Sequence, residues 1–99
     1  MKLGDKVKYI RSKNAGPFWV TIDLFCGDDK TYAQVCNQLS TEVVANRLGR
    51  ERNELKRFDI DALNVIKFSM PRSSVQGSAD DRDMHGAALA ILLKEMPFG

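Results

Sequence analysis

Two cations, an amide side chain and a Gly-Pro pair lie close together in the segment Arg11-Ser12-Lys13-Asn14-Ala15-Gly16-Pro17-Phe18. The guanidinium of Arg11 is a planar fork that fits a carboxylate or a phosphate, Lys13 adds a point charge, and Asn14 adds a donor. Gly16 lets the backbone approach a ligand closely. We therefore expect a loop that binds an anion. A hairpin turn with hydrated or aspartate-paired cations is the alternative, because the full G-x-x-x-x-G-K phosphate-loop pattern is absent.

A second group of candidate residues lies in the last third of the chain. Three carboxylates and the only histidine fall within Gly77-Ser78-Ala79-Asp80-Asp81-Arg82-Asp83-Met84-His85-Gly86. Asp81 and His85 share a face if a helix starts early, and such a pair can bind a divalent metal or exchange protons. Two ligands do not complete a metal site, however, and capping explains aspartates at a helix start. We expect no metal and no other cofactor.

Signals for nucleophilic catalysis are weaker still. No serine or cysteine stands in a nucleophile elbow with a base and an orienting group, and no dinucleotide fingerprint is present. Cys26 and Cys36 lie ten residues apart without a C-x-x-C arrangement. We expect both to be reduced thiols of the core, where free cysteine behaves as a small hydrophobe.

The composition predicts one ordinary domain spanning residues 1–99. The chain is 43% apolar and 28% charged, with a net charge of +2 from 15 basic and 13 acidic residues. Both signs are mixed along the chain, so no long-range field points to nucleic acid or to an anionic membrane. Charges interrupt the first twenty positions, and no stretch approaches the roughly 20 apolar residues of a membrane span. We expect a cytoplasmic protein that binds neither nucleic acid nor membrane.

The densest basic run belongs to a connection between elements. It consists of Arg47, Arg50, Arg52, Lys56 and Arg57, interrupted by Glu51 and Glu54. Clusters of mixed sign mostly face water, so we interpret this run as a solvated helix end and connection.

Strand-forming residues flank the first candidate segment. A short strand around Val7 and Tyr9 is expected to reach Arg11, and a second strand is expected over residues 18–25. In the second strand, one face is apolar and consists of Phe18, Val20, Ile22 and Leu24. The opposite face consists of Trp19, Thr21, Asp23 and Phe25. Exposed aromatics are unusual on a free monomer, so this second face is expected under a helix or against another subunit.

Helical patterns follow the second strand. Asp28 or Asp29 can cap a helix over residues 30–39, whose stripe is Tyr32, Val35, Cys36 and Leu39. Ser40 or Thr41 can cap a shorter helix, with a stripe of Val43, Val44 and Leu48, that Gly49 closes.

A hairpin, a long loop and a last helix complete the pattern. A strand with Phe58 and Ile60 is expected to lead into a turn at residues 61–64. A second strand is expected over residues 65–70, and Pro71 is expected to end it. Residues 72–83 read as a loop, and a helix follows with a stripe of Met84, Ala87, Ala88, Ile91 and Leu92. This order predicts an α+β fold, a ferredoxin-like sandwich with an antiparallel or mixed sheet and helices on one face.

Several of these motifs resemble those of a known bacterial family, a domain of unknown function. They are the Arg11 to Phe18 segment, Thr21-Ile22-Asp23-Leu24-Phe25, Pro71-Arg72, and Gly77-Ser78 with Asp81, Asp83 and Gly86-Ala87. The family looks related to the small ferredoxin-fold domain at the C-terminus of acyclic terpene utilisation (AtuA-like) proteins. The resemblance covers nearly the whole chain, with residues 37–57 matching least well.

The resemblance implies an accessory role beside a separate, larger AtuA-like protein that breaks down organic acids or acyl-CoA esters. It supplies no reaction. Matched to the family motif, the candidates for a shared surface that binds a small carboxylate or CoA ester are Arg11, Lys13, Asn14, Arg72, Ser78 and Asp83.

Three functional hypotheses follow. The first is a small subunit docked on a larger catabolic enzyme, with Arg11 and Lys13 near the anionic substrate. The second is a self-contained module, a homodimer that binds a small anion. The third is an independent lyase or isomerase in which His85 and Asp83 act as acid and base and Arg11 holds the carboxylate, and it has the least support.

Overall fold

The computed structural model describes residues 1–16, 18–71 and 87–98. These residues form a four-stranded sheet and four helices. The helices are α1 (Leu3–Lys6), α2 (Asp29–Gln38), α3 (Thr41–Arg47) and α4 (Ala87–Lys94). The strands are β1 (Tyr9–Asn14), β2 (Trp19–Phe25), β3 (Lys56–Ile60) and β4 (Val65–Pro71). Two short 3₁₀ turns cover Arg52–Glu54 and Asp61–Leu63. None of the helices described is long and apolar enough to cross a membrane.

The sheet is antiparallel throughout, with strand order β1-β2-β4-β3. Two hairpins, β1-β2 and β3-β4, are joined through the pairing of the central strands β2 and β4. The order of elements is related to that of ferredoxin-like folds, which is β-α-β-β-α-β. From β2 onward the chain follows this order, if α2 and α3 are counted as one helical connection. The difference is that β1, which would be the last strand of a ferredoxin-like fold, comes first in this chain. The expected α+β class is confirmed, and the sheet is antiparallel rather than mixed.

The alternation of β2 determines where the core lies. Val20, Ile22 and Leu24 are at most 1% exposed, and their partners on β4 include the fully buried Ile66 and Phe68. All four helices contribute to the same core cluster, through residues that include Leu3, Tyr32, Val35, Val44, Ala45 and Leu93. Helices therefore cover one face of the sheet, as expected.

The predicted helix starts are confirmed by their caps. The Asp28 carboxylate accepts a hydrogen bond from the Thr31 amide at 2.7 Å, and the Ser40 hydroxyl accepts one from the Val43 amide at 3.1 Å. The Thr31 bond lowers the pKa of Asp28. Local sequence is sufficient to place these helices, because each cap satisfies first-turn amides that have no partner within the helix.

The β3-β4 hairpin also follows the prediction. Asn64, the last residue of its turn, is left-handed with φ 54°, a conformation that Asn tolerates better than most residues. The strand β4 ends at Pro71, as expected.

The predicted buried faces of α3 and α4 and the predicted start of β2 are wrong. Val43 is 50% exposed, and Phe18 is 58% exposed and lies before β2. In α4 the buried positions are Ala90 and Leu93, whereas Ile91 is 57% exposed. Residues 87–93 are apolar on every side, so periodicity alone does not determine which face of this helix is buried. The predicted loop over residues 72–83 and the start of the last helix lie outside the described residues.

The basic connection is not uniformly solvated, contrary to expectation. Arg57 donates to the carbonyls of Leu39 and Cys36, and Arg50 donates to the carbonyl of Pro71. The Arg57 and Arg50 side chains are only 18% and 12% exposed. Carbonyls at the C-terminal end of a helix have no partner within it, so Arg57 acts as a cap that ties α2 to β3.

We predict that Arg57→Met lowers the free energy of unfolding by about 2 kcal/mol, because hydrogen bonds to a charged group contribute about 1.5 to 3 kcal/mol. The matched control is Arg52→Met, in an exposed turn, which should change the free energy by less than about 0.5 kcal/mol. Urea denaturation followed by circular dichroism measures both. Equal stability of the two variants would contradict the capping role of Arg57.

Candidate functional site

The face of the sheet opposite the helices carries the candidate site, and we call it the open face. By register it consists of Tyr9, Arg11 and Lys13 on β1, Trp19, Thr21, Asp23 and Phe25 on β2, Lys56, Phe58 and Ile60 on β3, and Val65, Lys67, Ser69 and Pro71 on β4. None of these residues belongs to the core cluster that the described helices cover. The core that the described helices pack therefore does not include the open face.

The middle of the open face is polar and cationic. Arg11, Asp23 and Lys67 form one row across β1, β2 and β4. The next row consists of Lys13, Thr21, Ser69 and Lys56. Four cations thus surround one carboxylate on neighbouring strands. Such a group attracts anions, since the fields of clustered like charges add.

Aromatic side chains flank this polar centre. Tyr9 stacks on Phe25 with ring centroids 4.3 Å apart. The Arg11 guanidinium lies 5.6 Å from the Phe25 ring, and the Lys56 ammonium lies 5.6 Å from the Trp19 ring. Cation–π contacts of this kind hold Arg11 and Lys56 towards the two ends of the open face.

Two buried oxygens at the polar centre have no hydrogen-bond partner within the described part of the chain. They are Asp23 Oδ1 and Thr21 Oγ1. Asp23 is 6% exposed and Thr21 is 7% exposed. The other oxygen of Asp23, Oδ2, lies 3.6 Å from Arg11 Nη2, longer than the roughly 2.7 to 2.9 Å of a charge-assisted hydrogen bond. Buried polar atoms are normally satisfied, so these two oxygens are the strongest local indication of a ligand.

Lys13 and Lys67 are the uncommitted cations of the open face, in the sense that neither makes an ion pair or a cation–π contact within the described ranges. Arg11 is engaged with Asp23 and Phe25, and Lys56 with Trp19. Neither Lys13 nor Lys67 takes part in any of the ion pairs found among the described residues. They lie directly opposite Thr21 and Asp23 on the two strands that flank β2. An anion seated between them would meet two ammonium groups.

The predicted anion loop is largely a strand, which corrects the sequence interpretation. β1 runs from Tyr9 to Asn14, and β2 begins at Trp19. Polar side chains favour a loop locally, but pairing with the apolar β2 extends the strand, as tertiary context often does. Successive side chains alternate, so Arg11 and Lys13 share the open face while Asn14, opposite Val20, faces the other way.

The remaining predicted site residues lie outside the described part of the chain. They are Arg72, Ser78, Asp83 and His85, together with Asp81 of the metal hypothesis. Within the ranges described, no group of three or more histidine, cysteine or acidic residues could hold a metal ion. The roles expected of these residues remain predictions.

Sequence reasoning did not assign three of the seven polar-centre residues to the site. Lys56, Lys67 and Ser69 come from strands far along the chain from Arg11, and only the β2-β4 pairing brings them together. The available signal was the polar face of β2. Thr21 and Asp23 interrupt a strand that is otherwise apolar or aromatic.

The two cysteines take no part in the open face. Both are free thiols, Cys26 buried at 3% exposure and Cys36 half-buried against the core. Burial raises the pKa of Cys26 to about 11. Cys26 is therefore a neutral thiol near pH 7, in agreement with the core role expected from sequence.

The chain is similar to one described protein family over nearly its whole length. The model of a domain of unknown function (DUF4387) matches residues 3–97. No curated protein and no solved structure matches the chain.

We predict that iodoacetamide at pH 8 labels Cys36 well before Cys26 in the native protein, because only the thiolate reacts and Cys26 is both buried and neutral. Peptide mass spectrometry after timed quenching gives the two rates. In urea both should react at the rate of a free thiol. Labelling of native Cys26 at that same rate would contradict its burial.

Proposed function

The chain belongs to the DUF4387 family, and on that premise we propose that it is a small accessory subunit of a larger, AtuA-like catabolic enzyme that acts on organic acids or acyl-CoA esters. In this proposal the open face contacts the larger subunit and supplies cations to an anion site that the two proteins share. The motif resemblance supports the choice of partner. The residues of the open face support the proposed mode of action, in which this face contacts the larger subunit and supplies cations to the anion site.

One observation carries the proposal: the open face combines partly exposed aromatics with two cations that make no ion pair with any described residue. Trp19 is 39% exposed and Phe58 is 48% exposed, on the same side of the sheet as Lys13 and Lys67. Aromatic side chains contribute strongly to protein interfaces, and contiguous exposed apolar surface is uncommon on free monomers. Ligand sites often lie at interfaces. A second protein that packs on the aromatic side chains would cover the cations between them and complete an anion site.

The charge of the open face favours a different partner over a second copy of this chain. Its four cations outnumber its one carboxylate. Two copies placed face to face would bring like charges together, which is costly when the charges lose water. A partner with acidic side chains, or with a bound anionic substrate, complements the same surface. This argument ranks the homodimeric anion-binding module second.

The cations also indicate which ligands suit the shared site. Lys13 and Lys67 lie on strands separated by β2 and in rows two residues apart, which places their backbones roughly 12 Å apart in the plane of the sheet. Flexible lysine side chains can converge from this distance on one carboxylate or can bind the two ends of a small dicarboxylate. A CoA phosphate would meet the same cations.

We predict that the tagged protein co-purifies a larger AtuA-like protein from its native host grown on organic acids. The substitution Phe58→Ser should reduce recovery of the larger protein about tenfold or more, because it removes an aromatic anchor from the interface. Quantitative mass spectrometry of the eluate measures the recovery.

The matched control for this experiment is Val43→Ser, which changes an equally exposed apolar residue on α3. It should leave recovery unchanged. A protein that elutes alone, or equal recovery with both variants, would contradict the proposed use of the open face. Elution as a dimer of this chain alone would favour the homodimeric module.

We predict that Lys13→Gln and Lys67→Gln each weaken binding of succinate to the isolated chain by about threefold or more, since each removes one charge partner. Lys30→Gln, at an exposed position on α2, is the control and should have no effect. Isothermal titration calorimetry at low salt gives the affinities. Equal affinity of all four proteins would place the anion elsewhere.

A further inference from the structure

Two oxygens at the centre of the open face, Asp23 Oδ1 and Thr21 Oγ1, need hydrogen-bond partners that the described residues do not supply. Asp23 Oδ1 accepts hydrogen bonds when the carboxylate is ionised, whereas Thr21 Oγ1 can donate one and accept others. Neither finds a partner in the described part of the chain. Leaving such atoms buried and unpaired destabilises a fold. Their presence on a strand between uncommitted cations therefore points to a ligand.

A single hydroxyl group satisfies both oxygens. Thr21 and Asp23 are two positions apart on β2 and project from the same face, so their Cα atoms are separated by roughly 6.6 Å. An oxygen seated between the two side chains lies within hydrogen-bond reach of each. It can donate its proton to Asp23 Oδ1 and accept the proton of Thr21 Oγ1.

The lysines limit where the charge of that ligand lies. Lys13 is directly opposite Thr21 on β1, and Lys67 is directly opposite Asp23 on β4. Side chains of directly opposite residues start only about 4.5 to 5.5 Å apart. The flexible lysine side chains can therefore reach a carboxylate that lies one or two carbon atoms from a hydroxyl bound by Thr21 and Asp23.

We propose that the open face binds a 2- or 3-hydroxycarboxylate, with Thr21 and Asp23 as the residues that select for its hydroxyl group. Lys13 and Lys67 bind the carboxylate. This inference rests on the anion site of the proposed function and specifies its ligand. It requires the isolated chain to bind the ligand, whether or not a larger subunit completes the site.

Arg11 is the side chain that must move when the ligand enters. Its guanidinium lies over Asp23 at 3.6 Å, and the Arg11 side chain is 54% exposed. A loose ion pair with one partner in water is easily displaced. The guanidinium already contacts the Phe25 ring, and this cation–π contact can hold Arg11 at the edge of the site after the ion pair with Asp23 is broken.

The test compares two ligands that differ only in a hydroxyl group, L-malate and succinate, by isothermal titration calorimetry on the full chain. Malate should bind at least about tenfold more tightly, because a site built to hydrogen-bond a hydroxyl discriminates strongly against a ligand that lacks it. Equal affinities would overturn the inference. So would the absence of malate binding at millimolar concentration.

Two substitutions show whether the selectivity comes from the named residues. Thr21→Val and Asp23→Asn should each reduce the preference for malate to less than about threefold, whereas Lys67→Gln should weaken both ligands and leave the preference unchanged. Preference that survives in both Thr21→Val and Asp23→Asn would overturn the assignment.

Thermal stability separates a ligand-binding role from a structural one. Without ligand, Thr21→Val should melt at the same temperature as the wild type or higher, because a methyl group replaces an unsatisfied buried hydroxyl. A lower melting temperature would show that the hydroxyl already has a partner in the free protein and would overturn the inference. Co-purification of the larger subunit is a separate measurement, so the subunit proposal can hold when the hydroxyacid inference fails, and the reverse.

Discussion

The alternation of side chains along β2 is the constraint on which the structure depends. Val20, Ile22 and Leu24 project to one side and are almost completely buried under the helices. Thr21 and Asp23 necessarily project to the other, because successive residues of a strand point to opposite faces. A slip of one residue would exchange the two sets and bury a carboxylate in the core. Since β2 is a central strand, paired on both sides, its register also sets which residues of β1 and β4 share each face.

The open face combines features that oppose stability. It holds four cations on adjacent strands, several exposed aromatics and two buried oxygens that have no hydrogen-bond partner in the part of the chain that the structure describes. Natural proteins are locally consistent except where function demands otherwise. On the helical side of the same sheet, the N-caps of α2 and α3 are satisfied and the core built by the described residues is apolar. The contrast between the two sides is the physical reason for placing the function on the open face.

Local signals in the sequence predicted the parts of the fold that local interactions determine. The caps at Asp28 and Ser40, the faces of β2 and the turn ending at Asn64 all depend on neighbours within a few positions. The extent of β1 and the capping role of Arg57 depend on partners elsewhere in the fold, namely β2 and the end of α2. For the same reason, the sequence indicated Arg11 and Lys13 as site residues but not Lys67, which only the β2-β4 register brings near them.

The central claim is that the open face is the ligand-binding surface of this protein. Backbone amide NMR of the isotopically labelled chain, titrated with L-malate, tests it most directly. The account predicts chemical-shift changes concentrated at Lys13, Thr21, Asp23, Lys67 and Ser69, with the amides of α2 and α3 unaffected. Shifts confined to the helices, or spread evenly over the chain, would contradict it.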